Sequence, residues 1–253
     1  MKNWHIEKVK NELGDKLMNK ERPDDTVWNM YKDTPLYPVN SYDELRRLIN
    51  NTVGFFGDEC SLNWIDTSNI DDMSHLFSTK NFLHTFNGDI SKWNTSNVKN
   101  MAAMFASSRF NGDISNWDVS NVEKMDTMFE SSYFNGDISN WDVSNVKHMN
   151  SMFYSSRAFN GDLSKWDVSN VIDMNYMFTG SSFTGDISNW NIINVQDADK
   201  PFRNSKILLK YRPKAPGVIS DEEIQESFDF NNVNKASGQK ATASTLLLQK
   251  KNF

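Results

Sequence analysis

The stretch Phe110-Asn111-Gly112-Asp113-Ile114-Ser115-Asn116-Trp117-Asp118-Val119-Ser120-Asn121-Val122, followed by Met125-Asp126-Thr127-Met128-Phe129, decides the fold because it recurs along the chain. The segments Phe86–Arg109, Phe110–Tyr133, Phe134–Ala158, Phe159–Ser182 and Phe183–Phe202 share one template, F-N-G-D-[IL]-S-x-W-[DN]-x-x-N-V-x-x-M-x-x-M-F-x-x-S. Trp64, Trp93, Trp117, Trp141, Trp166 and Trp190 mark its period, with spacings of 29, 24, 24, 25 and 24 residues. A leading copy, Cys60–Thr85, keeps Leu62, Trp64, Ile70, Met73, Leu76 and Phe77 but carries extra residues near Ser78–Thr85. The last copy has Ala198 and Pro201 where the Met pair would fall. Atypical ends are what a stacked array needs, since terminal coils must be capped.

One coil offers too few apolar side chains to fold alone, so neighbours must supply the rest of the core. Stacking places equivalent residues about 4.8 Å apart if the coils pair as parallel strands. Trp, Phe and Met then form continuous internal ladders. The apolar residues Val119, Val122, Met125, Met128 and Phe129 step mostly by three, which favours a short strand running into a 3₁₀ or helical turn. The fold expected is a leucine-rich-repeat-like solenoid of about six coils of 24–25 residues, each with a short strand and a helical turn near Met-x-x-Met-Phe. Gly88, Gly112, Gly136, Gly161 and Gly185 are expected to take positive φ at a turn closed by the adjoining Asn and Asp.

The repeats divide the chain into residues 1–54, a helical N-terminal cap region; 55–202, the repeat solenoid; and 203–253, a C-terminal extension. Trp4–Asn19 fits an amphipathic helix, and Arg22–Asn40 reads as a Pro-punctuated connector. Ser41-Tyr42-Asp43-Glu44 matches a capping box opening a helix over Tyr42–Thr52, which would cover the exposed edge of the first coil. Ser220-Asp221-Glu222-Glu223 opens a second short helix, to about Phe228, ahead of a polar tail.

Composition narrows the partners. A net charge of −6 lacks the basic footprint that phosphate backbones demand, so nucleic acid is not expected. Cys60 stands alone, which leaves no internal disulfide and no Cys-based metal cluster. The polar start and the absence of a run of roughly 18 apolar residues predict neither a secretory signal nor membrane insertion. Cytosolic synthesis with assembly into a particle is therefore expected over secretion.

At the repeats the runs Trp117-Asp118-Val119-Ser120-Asn121-Val122 and Met125-Asp126-Thr127-Met128-Phe129 resemble the repeat of BspA-like leucine-rich-repeat surface proteins, which also occurs in mycoplasma lipoproteins and in proteins of bacteria and their phages. The resemblance covers roughly Cys60–Phe202. It implies a leucine-rich-repeat-like solenoid with a role in adhesion or protein–protein interaction, and it carries no shared catalytic residues.

The residues themselves point the same way. The Asp ladder Asp89, Asp113, Asp137, Asp162 and Asp186, with Asp118, Asp142 and Asp167 beside it, could in principle gather Ca²⁺. The period is far from the nine residues of Ca²⁺-binding β-rolls, so these Asp are expected to accept backbone N–H bonds at turns. Asn97, Asn121, Asn145 and Asn170 are expected to form an internal amide ladder, and the Met pairs 101/104, 125/128, 149/152 and 174/177 to lie in the core. His5, His75, His84 and His148 show no metal-ligand spacing, and no Walker loop, nucleophile elbow or dinucleotide fingerprint occurs. No catalytic, cofactor or metal residue is assigned, and the chain is expected not to be an enzyme. The positions that vary within the fixed template are the surface ones. Among them Arg109, Tyr133, Tyr154 and Arg157 are of the types enriched at binding hot spots. The function expected is a non-enzymatic interaction module, rigidly docked into a larger assembly such as a phage virion through its C-terminal extension. A bacterial adhesin binding a host protein or glycan is the alternative.

Overall fold

The computed structural model describes residues 11–214, apart from Leu36 and Phe82. The expected helix over Tyr42–Thr52 forms and runs one turn further, as α3 (Tyr42–Phe56). Its start follows the capping-box logic: Ser41 Oγ accepts from the Glu44 N–H at 3.2 Å, while Glu44 Oε2 reaches back to the Asn40 N–H at 2.9 Å. Gly57 ends it at φ 84°, a conformation that costs glycine nothing. Leu45, Leu48 and Ile49 face inward and are fully buried.

The connector read over Arg22–Asn40 contains a helix of its own, α2 (Asp25–Tyr31). Asp24 caps it, accepting from the Thr26 and Val27 N–H groups, and one carboxylate ahead of a short apolar stretch was too small a signal beside the prolines. Within the expected Trp4–Asn19 helix, the described part is a π-turn over Asn11–Asp15 running into α1 (Lys16–Met18), with Leu13 and Leu17 buried. The backbone edge of the first coil is paired by a strand, while α3 meets that coil through Tyr42, whose hydroxyl accepts from Asn81 Nδ2 at 3.1 Å. Strand β1 (Tyr37–Pro38) pairs in parallel with β2 (Ile65–Asp66). Thus Tyr37 N donates to Trp64 O and Val39 N to Asp66 O.

From β2 onward the copies lie one on the next in parallel register, through the single-residue bridges Asp72↔Asn100↔Lys124↔His148↔Asp173↔Asp197. One bridge per coil replaces the short strand expected, and turns replace the expected helical turn. The reason is a two-way division of the backbone amides. Met101, Ala103, Phe105 and Ser107 donate to Lys124, Asp126, Met128 and Glu130 of the following coil. The alternating Met104, Ala106 and Ser108 donate back to Met101, Ala103 and Phe105 within the same coil. Every second amide is thereby aimed along the stack, which an α-turn cannot do. The alternation is set by residues held at φ of 51–69°: Ala103 and Ser107, then Thr127 and Ser131, then Ser151 and Ser155, then Tyr176 and Gly180. That so many are not glycine shows that the bonds on either side outweigh the local strain.

The template glycines answer a different need from the one expected. Positive φ among glycines is confined to Gly57 and Gly180 in the described residues. At Gly112 and Gly136 a Cβ would instead stand 2.8 Å from the ring of the Phe two residues earlier, and at Gly88 it would meet the Cys60 carbonyl at 1.9 Å. These positions are glycine because the chain folds back over Phe110 and its equivalents.

The core is two Phe columns and a Trp column. Phe77, Phe105, Phe129, Phe153, Phe178 and Phe202 follow one another at 5.5–5.9 Å between ring centroids. Phe86, Phe110, Phe134, Phe159 and Phe183 do so at 6.2–6.4 Å. Trp93 lies over Trp117 and Trp166 over Trp190 at 6.4 and 6.3 Å, with rings 4° from parallel. Such offset stacking adds about 0.5–1.5 kcal/mol per pair to simple burial. The four Met pairs lie buried beside these columns. At the far end Ile207 is buried, Ile187 N donates to Tyr211 O, and the Arg212 guanidinium lies 5.2 Å from the Phe202 ring. The described start of the C-terminal extension therefore closes the last coil. The expected helix from Ser220 and the tail lie outside the described residues. Among the described residues, no helix is long and apolar enough to cross a membrane.

Candidate interaction surface

Outside the core, each coil presents the same turns. Asp113 Oδ1 accepts from the Ser115 N–H at 2.9 Å, and Asp137, Asp162 and Asp186 repeat the contact with Ser139, Ser164 and Ser188. Asp118, Asp142 and Asp167 do the same for Ser120, Ser144 and Ser169. These hydrogen bonds, the serine N–H and hydroxyl together, hold the carboxyls of Asp113, Asp118, Asp137, Asp162, Asp167 and Asp186 below their ordinary range. At Asp89 burial works against the charge, but hydrogen bonds from Ser91 and Asn63 prevail and its carboxyl is also lowered.

In place of the expected internal amide ladder, an exposed series of amide-to-carbonyl bonds links the coils. Asn97, Asn121, Asn145, Asn170 and Asn194 each donate Nδ2 to the carbonyl of a Ser in the preceding coil, at 2.6–2.8 Å. Amide does not stack on amide because the Ser carbonyl, left free by the turn, lies nearer. A second series, missed in the sequence, runs through the Asn of the F-N-G-D motif. Asn111 N donates to Asn87 Oδ1, Asn135 N to Asn111 Oδ1, Asn160 N to Asn135 Oδ1 and Thr184 N to Asn160 Oδ1. Recurrence of that Asn in four of the five copies was the available signal.

Arg109 and Tyr133 stand one above the other, each just ahead of a buried Phe, tied to the stack by Arg109 N→His84 O and Tyr133 N→Ser108 O. Both are exposed, Tyr133 to 66%. They line a groove with Asp58, Glu59, Thr85 and Asn87. Arg157 is also exposed and occupies the extra position of the 25-residue coil, ahead of Ala158. Tyr154 belongs to a different column, following Phe153, and is half-buried with its carbonyl accepting from Ser131 N. Neither Arg157 nor Tyr154 lines the groove. Trp93, Trp117, Trp141, Trp166 and Trp190 all donate their indole N–H to a carbonyl of an earlier coil. Trp64, fully buried, instead packs against Trp28 and Tyr37 of the N-terminal region.

The chain matches the family described as a Mycoplasma protein of unknown function, DUF285, over residues 44–135 and 130–211. No curated protein and no solved structure matches it.

Proposed function

We propose, from the premise that this chain belongs to the Mycoplasma DUF285 family, that it is a non-enzymatic interaction module: a leucine-rich-repeat-like solenoid that presents one face to a protein partner. The observation that carries this reading is Tyr133. Seventeen Phe and eight Trp make the chain rich in aromatics, and those of the repeat columns are buried, yet Tyr133 is left 66% exposed beside Arg109 over a groove edged by Asp58 and Glu59. An aromatic and a guanidinium above two carboxylates favour a partner that offers an apolar side chain next to a basic one. The rigid stack holds those groups at fixed spacing, so little ordering entropy is lost on docking. The setting that fits best is a larger assembly such as a phage virion. The adhesin reading is favoured by the resemblance of the repeats to BspA-like surface proteins.

Fractionation of the source organism separates the two settings, since a virion part co-purifies with particles and an adhesin with the envelope. For the surface itself, the partner so identified is bound to full-length protein and to R109A/Y133A. Loss of at least tenfold in affinity with unchanged circular dichroism is expected, and unchanged affinity removes this face from consideration.

A further inference from the structure

Away from the groove, three side chains from three consecutive coils converge. His148 and Asp173 occupy neighbouring positions of the bridge column, and Asp126 stands two residues beyond the bridge residue Lys124. One ring nitrogen of His148 and one oxygen from each carboxylate all lie within 4.8 Å of one another, at half-buried positions. They make no hydrogen bond or ion pair among themselves. Each carboxylate is already held from behind: Asp126 Oδ1 accepts from the Asn150 N–H at 3.1 Å, and Asp173 Oδ1 from the Asn175 N–H at 2.9 Å. Outer contacts of this kind fix the orientation of metal ligands.

Charge compensation is missing as well. Among the described residues neither Asp126 nor Asp173 pairs with a Lys or Arg; the adjacent Lys147 is engaged by Glu123 at 2.9 Å. Burial, with Asp173 close by, pushes the Asp126 carboxyl up, against the opposing pull of the Asn150 N–H and His148. His148 is the one imidazole in the bridge column Asp72, Asn100, Lys124, His148, Asp173 and Asp197; two residues further on, where Asp126 stands, the neighbouring coils have Ala102, Asn150 and Asn175, and Asp returns at Asp199.

We propose that Asp126, His148 and Asp173 bind one divalent transition-metal ion of the Zn²⁺ type, with water completing its coordination. Imidazole plus carboxylate oxygen is a donor set that Zn²⁺ accepts, and three protein ligands with an open position is a common Zn²⁺ arrangement. Around a tetrahedral ion at 2.0–2.2 Å the donor atoms stand about 3.4 Å apart, so no pair of donors has more than roughly 1.4 Å to close. The ion would clamp three successive coils together, adding to the bond from the Asn150 N–H to Asp126 Oδ1 that already links two of them.

The test uses untagged full-length protein, stripped with chelator and titrated calorimetrically with ZnCl₂ at pH 7. One equivalent is expected to bind, raising the melting temperature by several degrees through preferential binding to the folded state. D126N, D173N and H148A are each expected to weaken binding at least tenfold, while H75A and H84A bind as wild type does. A second readout needs no variant: Co²⁺ or Mn²⁺ should broaden the Asn150 and Asn175 amide resonances before those of other coils. Absence of binding by the wild type, wild-type affinity in H148A, or broadening centred elsewhere each overturns the assignment.

Discussion

The Trp141 indole donates its Nε1–H to the Ile114 carbonyl of the preceding coil at 3.1 Å, and the same carbonyl accepts the Trp117 backbone N–H at 3.2 Å. One oxygen thus serves both its own turn and the neighbouring coil. Trp141→Phe removes the second bond but leaves the carbonyl a partner, so a loss of about 1–2 kcal/mol is expected. Trp141→Ala also opens a cavity and should cost about 3–5 kcal/mol. Urea denaturation of both variants checks the ordering; a Trp141→Phe variant as stable as the wild type would show that the bond contributes nothing.

Gly112→Ala sets a methyl group against the Phe110 ring, and overpacking of this kind costs about 1–3 kcal/mol. If contact is the cause, F110L/G112A recovers part of the loss, because the aliphatic side chain vacates the space. A backbone cause predicts no recovery. Gly180, at φ 69°, gives the contrasting case. Its equivalents Ser107, Ser131 and Ser155 hold a similar φ, so Gly180→Ser is expected to be accommodated at the cost of the left-handed backbone, about 1–2 kcal/mol. Thermal melts of the three variants separate the mechanisms.

The first of these tests bears on what the sequence disclosed. Period, copy boundaries and the identity of core residues such as Trp117, Met125 and Phe129 could be read directly, because burial imposes a side-chain type. The direction of an amide leaves no such trace. Ala103 and Ser107 look like ordinary helix or turn residues, and only the stack shows them holding the positive φ that sends every second N–H to the next coil. Likewise the convergence of Asp126, His148 and Asp173 depends on coils 24 and 25 residues apart lying in register, a relationship between separate copies that no local spacing motif records. Of the four surface residues singled out, Arg109 and Tyr133 share a groove because each immediately precedes its template Phe; Tyr154 follows one instead and falls in another column.

Cys60 is buried, and burial pushes its thiol up to about 12. The thiol is therefore protonated at neutral pH and shielded. A disulfide reagent at pH 8 should find no reactive thiol in native protein and one per chain in denaturant. Rapid labelling of the native form would show that the first coil opens readily.

Acid stability follows from the turn carboxylates. Asp113, Asp118, Asp137, Asp162, Asp167 and Asp186 have folded-state pKa values below those of the unfolded chain. Their contribution is complete above the unfolded value, near pH 4, and is lost as pH falls through the lowered folded values. Asp126 and Glu130 are raised and act in the opposite sense, gaining on protonation. These six, with Asp24, Asp89 and Glu123 also lowered, outnumber the two raised groups and predict a melting temperature that is flat down to about pH 4 and then falls. Asp113→Asn should reduce the steepness of that fall, and a melting temperature that climbs below pH 4 would reverse the balance.

The amides that point from one coil to the next lie along the length of the array, while those that close each turn lie across it. Pulling the protein from its two ends would load the lengthwise bonds one coil at a time and leave the crosswise ones to reclose once tension drops. Extension should therefore proceed as a series of small, nearly equal yields, each releasing about one template length of chain, and a coil gained or lost by recombination would alter the number of yields without altering their height.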